Sequence, residues 1–199
     1  MVDYEKIVAF WLGELDQQGL ASVETFKKWW TKSDALDAEI REHFSADHAA
    51  IMAGEREAWL DTARGRLAYV LVLDQFSRNM FRDTAEMYAG DDRSLAAVKD
   101  GYECGHDVEL QTDERVFIYL PLMHSETLAD QDLGIEKFEA LCASLDGAAL
   151  ERIKQNHSAA VAHRDVIAQW GRFPHRNAIL GRETTPEEAE FLKKPGSSF

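Results

Sequence analysis

A chain of 199 residues, 45% apolar and 29% charged, is long enough to bury a core as one domain, and its composition is that of a soluble globular protein. Thirty-six Asp and Glu against 22 Lys and Arg leave a formal net charge of −14. Neutralising a phosphate backbone requires the opposite sign, so nucleic acid is excluded as an expected partner, and anionic membrane surfaces are disfavoured on the same ground.

The first stretch, "MVDYEKIVAFWLGELDQQ", has neither a basic n-region nor a small-residue cleavage site, so no secretory leader is expected. Asp3 is expected to open a helix with Ile7, Phe10 and Trp11 on one face, ending near Gly19. Ser22 then caps "VETFKKWW", and Ser33 begins a longer helix carrying Leu36, Ile40, Phe44, Ile51 and Met52, closed near Gly54. Residues 57–81 read as one helix, although "LAYVLVL" alone resembles a buried strand. That run, Leu67 to Leu73, is far too short to span a bilayer. Helices are expected at 91–104, 112–127, 130–145 and 147–170, with Pro121 kinking the second of these or ending it early. Thr185-Pro186-Glu187-Glu188 reads as a capping box with Pro at the first helical position. Alternating strand signals are lacking, so the fold class is all-α, a bundle or a short solenoid of helix pairs. Cys104 and Cys142 stand in no metal-ligand spacing; they read as small core residues in a reducing cytoplasm, and neither a metal nor a cofactor is expected.

Three apolar runs end in polar knots. "LAYVLVL" leads into Asp74, Gln75, Phe76, Ser77, Arg78 and Asn79; "VFIYLPLM" into His124, Ser125 and Glu126; "VIAQW" into "GRFPHRN", with Arg172, His175, Arg176 and Asn177. Asp74 and Arg78 continue the stripe of Leu67, Val70 and Leu71 at helical spacing, with Arg82 a turn further on. They should therefore pair on the buried side, where ions out of water need more partners than each other. The expectation is that the three knots converge on one polar centre.

Two readings of that centre stand side by side. In one it is a buried network that fixes helix register. In the other, Arg78, Arg172 and Arg176 are anion donors, Asn79 and Asn177 orient the ligand, and Asp74 and Glu126 hold the arginines. Arg forks suit a carboxylate or phosphate, so the ligand would be a small anion or the carboxylate end of a peptide. Gln75, Arg82, Ser125, His124 and His175 complete the candidate set, with His124, Glu126 and Asp74 as candidates for acid–base catalysis of an unspecified reaction. His157 and His163 do not share a helix face well and are given no metal role. There is no Gly-rich phosphate loop, HExxH, GxSxG or CxxC.

At these residues the chain resembles a bacterial family of uncharacterised proteins, DUF924. The likeness runs through "FWLGE" at 10–14, "WW" at 29–30, "LVLDQFSRNMFRDT" at 71–84, "FIYLPLMHSE" at 117–126, "GRFPHRNAILGR" at 171–182 and "TTPEEAEFL" at 184–192. The resemblance implies a tetratricopeptide-like fold, a right-handed array of antiparallel helix pairs in one domain over 1–199. It brings no established activity. The family often has Pro where this chain has Ser77, and Gly where it has Asp83; that acid is expected to neutralise Arg82. The expected function is binding of a small anionic ligand, the alternatives being a protein-interaction scaffold and an enzyme of unknown reaction. Homo-oligomerisation is left open.

Overall fold

The computed structural model describes residues 4–198 and is all-helical, without strands among them. An isolated antiparallel bridge between Leu15 and Ala21 is the extended pairing it contains. No helix among the described residues is long and apolar enough to cross a membrane. Contacts group the chain into two compact units, residues 4–82 with 86–121 and residues 83–85 with 122–198.

In the first unit, α1 (Glu5–Leu12) stops well before Gly19. Gly13, at φ 66°, takes the chain out of the helix, a positive φ that glycine adopts without cost. The expectation that Asp3 opens this helix lies outside the described residues. The next two starts follow the sequence signals. The Ser22 hydroxyl accepts the Thr25 amide (3.1 Å) at the head of α2 (Val23–Trp29), and Ser33 accepts that of Leu36 (3.3 Å) at the head of α3 (Asp34–Met52).

Residues 57–81 are not one helix. A 3₁₀ turn, Glu57–Asp61, precedes Thr62, whose extended backbone breaks the run and whose hydroxyl caps α4 (Ala63–Val70). A π-helical turn, Leu71–Phe76, then leads into the single turn α5 (Ser77–Met80). Every residue of "LAYVLVL" is at most 1% exposed. A helix buried on all sides has no polar face, which is why this run lacks helical periodicity. Around it Trp11, Phe44, Phe76 and Phe117 pack edge to face or tilted, with centroids 4.9–5.8 Å apart in the contacting pairs, and Trp29 Nε1 donates to the Trp11 carbonyl (2.8 Å). The unit also contains α6 (Asp91–Glu103) and most of α7 (Thr112–His124). α7 runs three residues past Pro121 and ends at His124, short of the expected 127.

In the second unit, α8 (Leu128–Ala143) and α9 (Gly147–Trp170) are joined by residues 144–146. So short a connection makes the helices antiparallel neighbours, and Phe138, Leu141, Ala149, Ile153 and Ala160 are buried along them. α9 ends at Gly171, in the left-handed region at φ 67°, with its N–H on the Ile167 carbonyl (2.8 Å). The reversal drops Phe173 into a small core with Val166 and Ile167, against Trp170 and Phe191. α10 (Pro186–Phe191) has the full capping box of Thr185 and Glu188.

Candidate functional site

The first polar knot sits on the π-helical turn, where Ser77 Oγ donates to the Val72 carbonyl (3.2 Å). Asp74 and Arg78 pair as the helical spacing predicts, at 3.0 Å. Asp91, in the first turn of α6, takes the same guanidinium through both oxygens (2.9 and 3.1 Å). Gln75 donates to Asp74 (2.6 Å), which is 1% exposed. Burial disfavours the charge on Arg78, but Asp74 and Asp91 outweigh it and raise its pKa. Asn79 and Arg82 both donate to Asp37 of α3, at 2.8 Å for Asn79 and 2.7 and 2.8 Å for Arg82. Burial alone would raise the Asp37 pKa, and the hydrogen bonds from Arg82 and Asn79 reverse that and lower it. Asp37, distant in sequence, is thus an acid that binds Arg82. Arg78, Asn79 and Arg82, expected to face a ligand, tie α3 and α6 to the turn after α4. Asp83 has φ 63°, so where the resemblance calls for Gly the chain carries a backbone requirement as well as a charge.

The second and third knots meet within the second unit. Glu126 accepts the Phe173 amide (2.8 Å) and binds Arg182 through both oxygens (2.6 and 3.0 Å). Arg182 also donates to the Phe173 carbonyl and to Asn177 Oδ1, each at 3.0 Å. Asn177, fully buried, donates to Glu188 (3.2 Å) and Thr184 (3.3 Å). Glu188 binds Arg172 through both oxygens (2.7 and 2.8 Å), and Arg172 donates to the Glu183 carbonyl (2.9 Å). Ser125 donates to Asp130 (2.8 Å). The loop "GRFPHRNAILGR" is therefore tied down by two acid–arginine forks bridged by Asn177. Such forks are strong because both hydrogen bonds are charge-assisted. Burial opposes the charge on Glu126, yet Arg182, the Phe173 amide and Arg176 lower its pKa. Arg172 and the Thr185 amide lower Glu188 to about 2.

This tied loop carries His175 and Arg176 to a cluster with His124 and His163. Phe173 forms its wall, with the Arg176 guanidinium 4.5 Å over its ring and the rings of His163 and His175 at 5.8 and 5.5 Å. His124 and His163 lie 6.2 Å apart. His163 and Arg176 are each 7% exposed, while His124 and His175 are half-buried. His163 Nδ1–H donates to the Ala159 carbonyl (2.7 Å), which fixes its tautomer. Burial, then His124, Arg176 and His175, push its pKa down to about 3 against the opposing pull of that carbonyl. Burial and Arg176 push His175 down to about 4, with Glu126 pulling the other way. At neutral pH the two are uncharged bases beside a permanent cation. Among the described residues no group of three or more His, Cys, Asp or Glu is disposed to hold a metal ion.

Sequence reasoning missed five of these residues, Arg182 among them, which was seen only as part of the basic loop. Asp37 and Asp91 read as ordinary acids in first helical turns, and Glu188 as a cap alone. His163 had a usable signal. It shares the stripe of Val166, Ile167 and Trp170 at steps of three and four, and a histidine on an apolar stripe is a buried one.

No curated protein matches the chain. It is similar to the solved structure of ATU0120, a protein of unknown function from Agrobacterium tumefaciens, at 37% identity and a TM-score of 0.76, over 96% of each chain. The family model described as "Bacterial protein of unknown function (DUF924)" matches residues 7–196. The polar knots and the tied loop all fall within that span, and the chain belongs to the DUF924 family.

Proposed function

We propose that the chain binds a small anion, a carboxylate or a phosphate, at the histidine–arginine cluster of the second unit. Arg176 is the fixed charge, and His124 and His175 are the approachable groups. The observation that carries the reading is the placement of the Arg176 charge: 7% exposed, it lies 4.5 Å over the Phe173 ring, against which the His163 and His175 rings also pack at 5.8 and 5.5 Å, in a chain whose formal charge is −14. A positive potential kept at a partly buried spot favours a negative guest. The ligand set is narrower than the sequence suggested: Arg78, Asn79, Arg82, Arg172, Asn177 and Glu126 build the frame through Asp91, Asp37, Glu188 and Arg182. Acid–base chemistry by Asp74 or Glu126 gains no support from their surroundings, since arginines hold both as carboxylates.

The test is a thermal-shift series with sodium sulfate, phosphate and acetate. Sulfate and phosphate stabilise most proteins weakly by exclusion, so the comparison is with Arg176→Gln and His175→Gln. A specific site at a hundredfold excess of ligand over Kd adds about 2.7 kcal/mol, or roughly 5 °C or more in Tm at this size. The reading expects that increment in the parent protein and its loss in the variants. Equal shifts in all three proteins contradict it.

A second reading is a protein-interaction scaffold, the surface of a tetratricopeptide-like array. On its side are Val23, 65% exposed at the head of α2, and Trp30, 51% exposed just past its end. They neighbour a cleft of about 450 Å³ whose lining includes Lys27, Lys28, Leu36 and Glu39.

A further inference from the structure

The cleft beside α2 holds a positioned amine as well as apolar surface. It is an open space of about 450 Å³, lined from α2 by Lys27 and Lys28, from the connection by Thr31, and from α3 by Leu36 and Glu39. We propose that Lys28 is a covalent attachment site for a small uncharged aldehyde or ketone, which it holds in this cleft as an imine. The proposal is independent of the anion site in the second unit.

Lys28 and Trp29 are neighbours on α2 and bind successive carbonyls in the last turn of α1. Lys28 Nζ donates to Phe10 (3.0 Å) and Trp29 Nε1 to Trp11 (2.8 Å). The Lys28 nitrogen also lies 5.1 Å from the centre of the Phe10 ring and 5.8 Å from that of Trp11. The end of a flexible side chain is thereby held in one place, half-buried. One N–H satisfies the Phe10 carbonyl, so the nitrogen is held whether it is charged or neutral. Ring faces and the carbonyl end of a helix favour an ammonium there. Burial opposes it and lowers the pKa, with the charge of Glu39 pulling the other way. The neutral amine is the nucleophile, and at neutral pH a larger share of Lys28 is in that form than of a lysine in open water. Lys154 is the contrast, since Glu151 raises its pKa.

The step balances without a further reactant. In the addition, the lone pair of Nζ forms the C–N bond, the π pair of the carbonyl moves to oxygen, and a proton passes from nitrogen to that oxygen. In the elimination, the oxygen leaves as water with the second proton from nitrogen, and the nitrogen pair completes C=N. Amine and carbonyl compound give imine and water. Leu36 supplies apolar contact for the carbon chain of the guest. Glu24 and Glu39 line the cleft together with Lys27 and Lys28, so its charge favours neither sign, and the guest is uncharged.

Reductive alkylation of the full chain is the test. Trace propanal is added with sodium cyanoborohydride, which reduces the imine to a stable secondary amine, and peptide mass spectrometry follows the rate at each lysine. At about pH 7 Lys28 should react at least about threefold faster than Lys27, Lys154 and Lys193, the gap narrowing toward about pH 10 as the exposed amines lose their protons. Unfolding in guanidinium chloride should remove the lead. Glu39→Gln takes away a charge that favours the ammonium and should widen it. Formaldehyde, too small to need the cleft, separates a binding site from a merely reactive amine: the ratio of propanal to formaldehyde rates should be higher at Lys28 than at Lys27. Lys28→Arg should abolish the fast phase of labelling, and Lys28→Gln serves if that variant does not fold. Equal rates at Lys28 and Lys27, a lead that survives unfolding, or an equal propanal-to-formaldehyde ratio at the two would overturn the proposal. Lys28 reacting slowest would overturn it too, leaving that side chain as a cap on α1.

Discussion

Glu126 holds Arg182 through both carboxylate oxygens, at 2.6 and 3.0 Å, and accepts the Phe173 amide with one of them. One side chain from the end of α7 thus anchors both the start and the end of "GRFPHRNAILGR". The basic residues concentrated in that loop divide by role. Arg172 and Arg182 fasten it, while His175 and Arg176 are delivered to the cluster.

Replacing Glu126 by Gln keeps an acceptor for the Phe173 amide and removes the charge that holds Arg182. The pair is about a quarter exposed on each side, so its loss should cost about 1–2 kcal/mol, toward the lower end for a charge-assisted hydrogen bond. The expected fall in Tm is roughly 2–8 °C. Because Glu126 also acts on His175, the variant should lower the His175 pKa further, readable by NMR titration.

Asp37 binds Asn79 and both sides of the Arg82 fork while 7% exposed. Asp37→Ala leaves Arg82 and Asn79 facing a gap in the frame of the first unit, and should destabilise by about 3 kcal/mol. Asp37→Asn should cost less, since the amide oxygen still accepts one of the hydrogen bonds. Urea unfolding of the two variants gives the order; Asn worse than Ala would contradict it.

Stability should begin to fall at unusually mild acidity. His163 and His175 have folded pKa values of about 3 and about 4 against an ordinary 6.5. Below 6.5 the unfolded chain binds protons that the folded chain does not, so the stability gained from keeping these rings neutral is full above pH 6.5 and is lost as pH falls toward 4 and 3. The loss is on the order of a few kcal/mol. Asp37, Glu126 and Glu188, all with lowered pKa values, add their losses below the ordinary carboxylate pKa, with Glu188 still contributing down to about 2. In His163→Gln the slope between about pH 6.5 and pH 4 should flatten; an unchanged slope would place the pH sensitivity elsewhere.

Much of the fold was legible in local chemistry. Ser22, Ser33 and Thr185 cap helices because a hydroxyl before an apolar-periodic run meets unpaired amides; α6 and α9 keep close to their expected bounds without a side-chain cap, whereas α8 starts and ends two residues before the expected 130–145. The breaks were harder to read. Thr62 interrupts the expected helix at 57–81 with no Gly or Pro to mark it, and the π-helical turn at Leu71–Phe76 has no signal in the composition of the run. Of the site, the pairing of Asp74 with Arg78 was readable because both partners lie on one helix face. Asp37 for Arg82, Asp91 for Arg78 and Glu188 for Arg172 were not, since each joins elements distant in sequence. Helical spacing located Arg78 and Arg82, the basic loop after α9 located Arg172, and the folded chain revealed which acids engage them.

The most direct measurement is an NMR titration of the side chains of the chain's seven histidines with sodium sulfate at about pH 6. The account predicts that His124, His163 and His175 shift together and saturate, while His43, His48, His106 and His157 hold still. Uniform small shifts across all of them, growing without saturation, would mean that the cluster holds no anion.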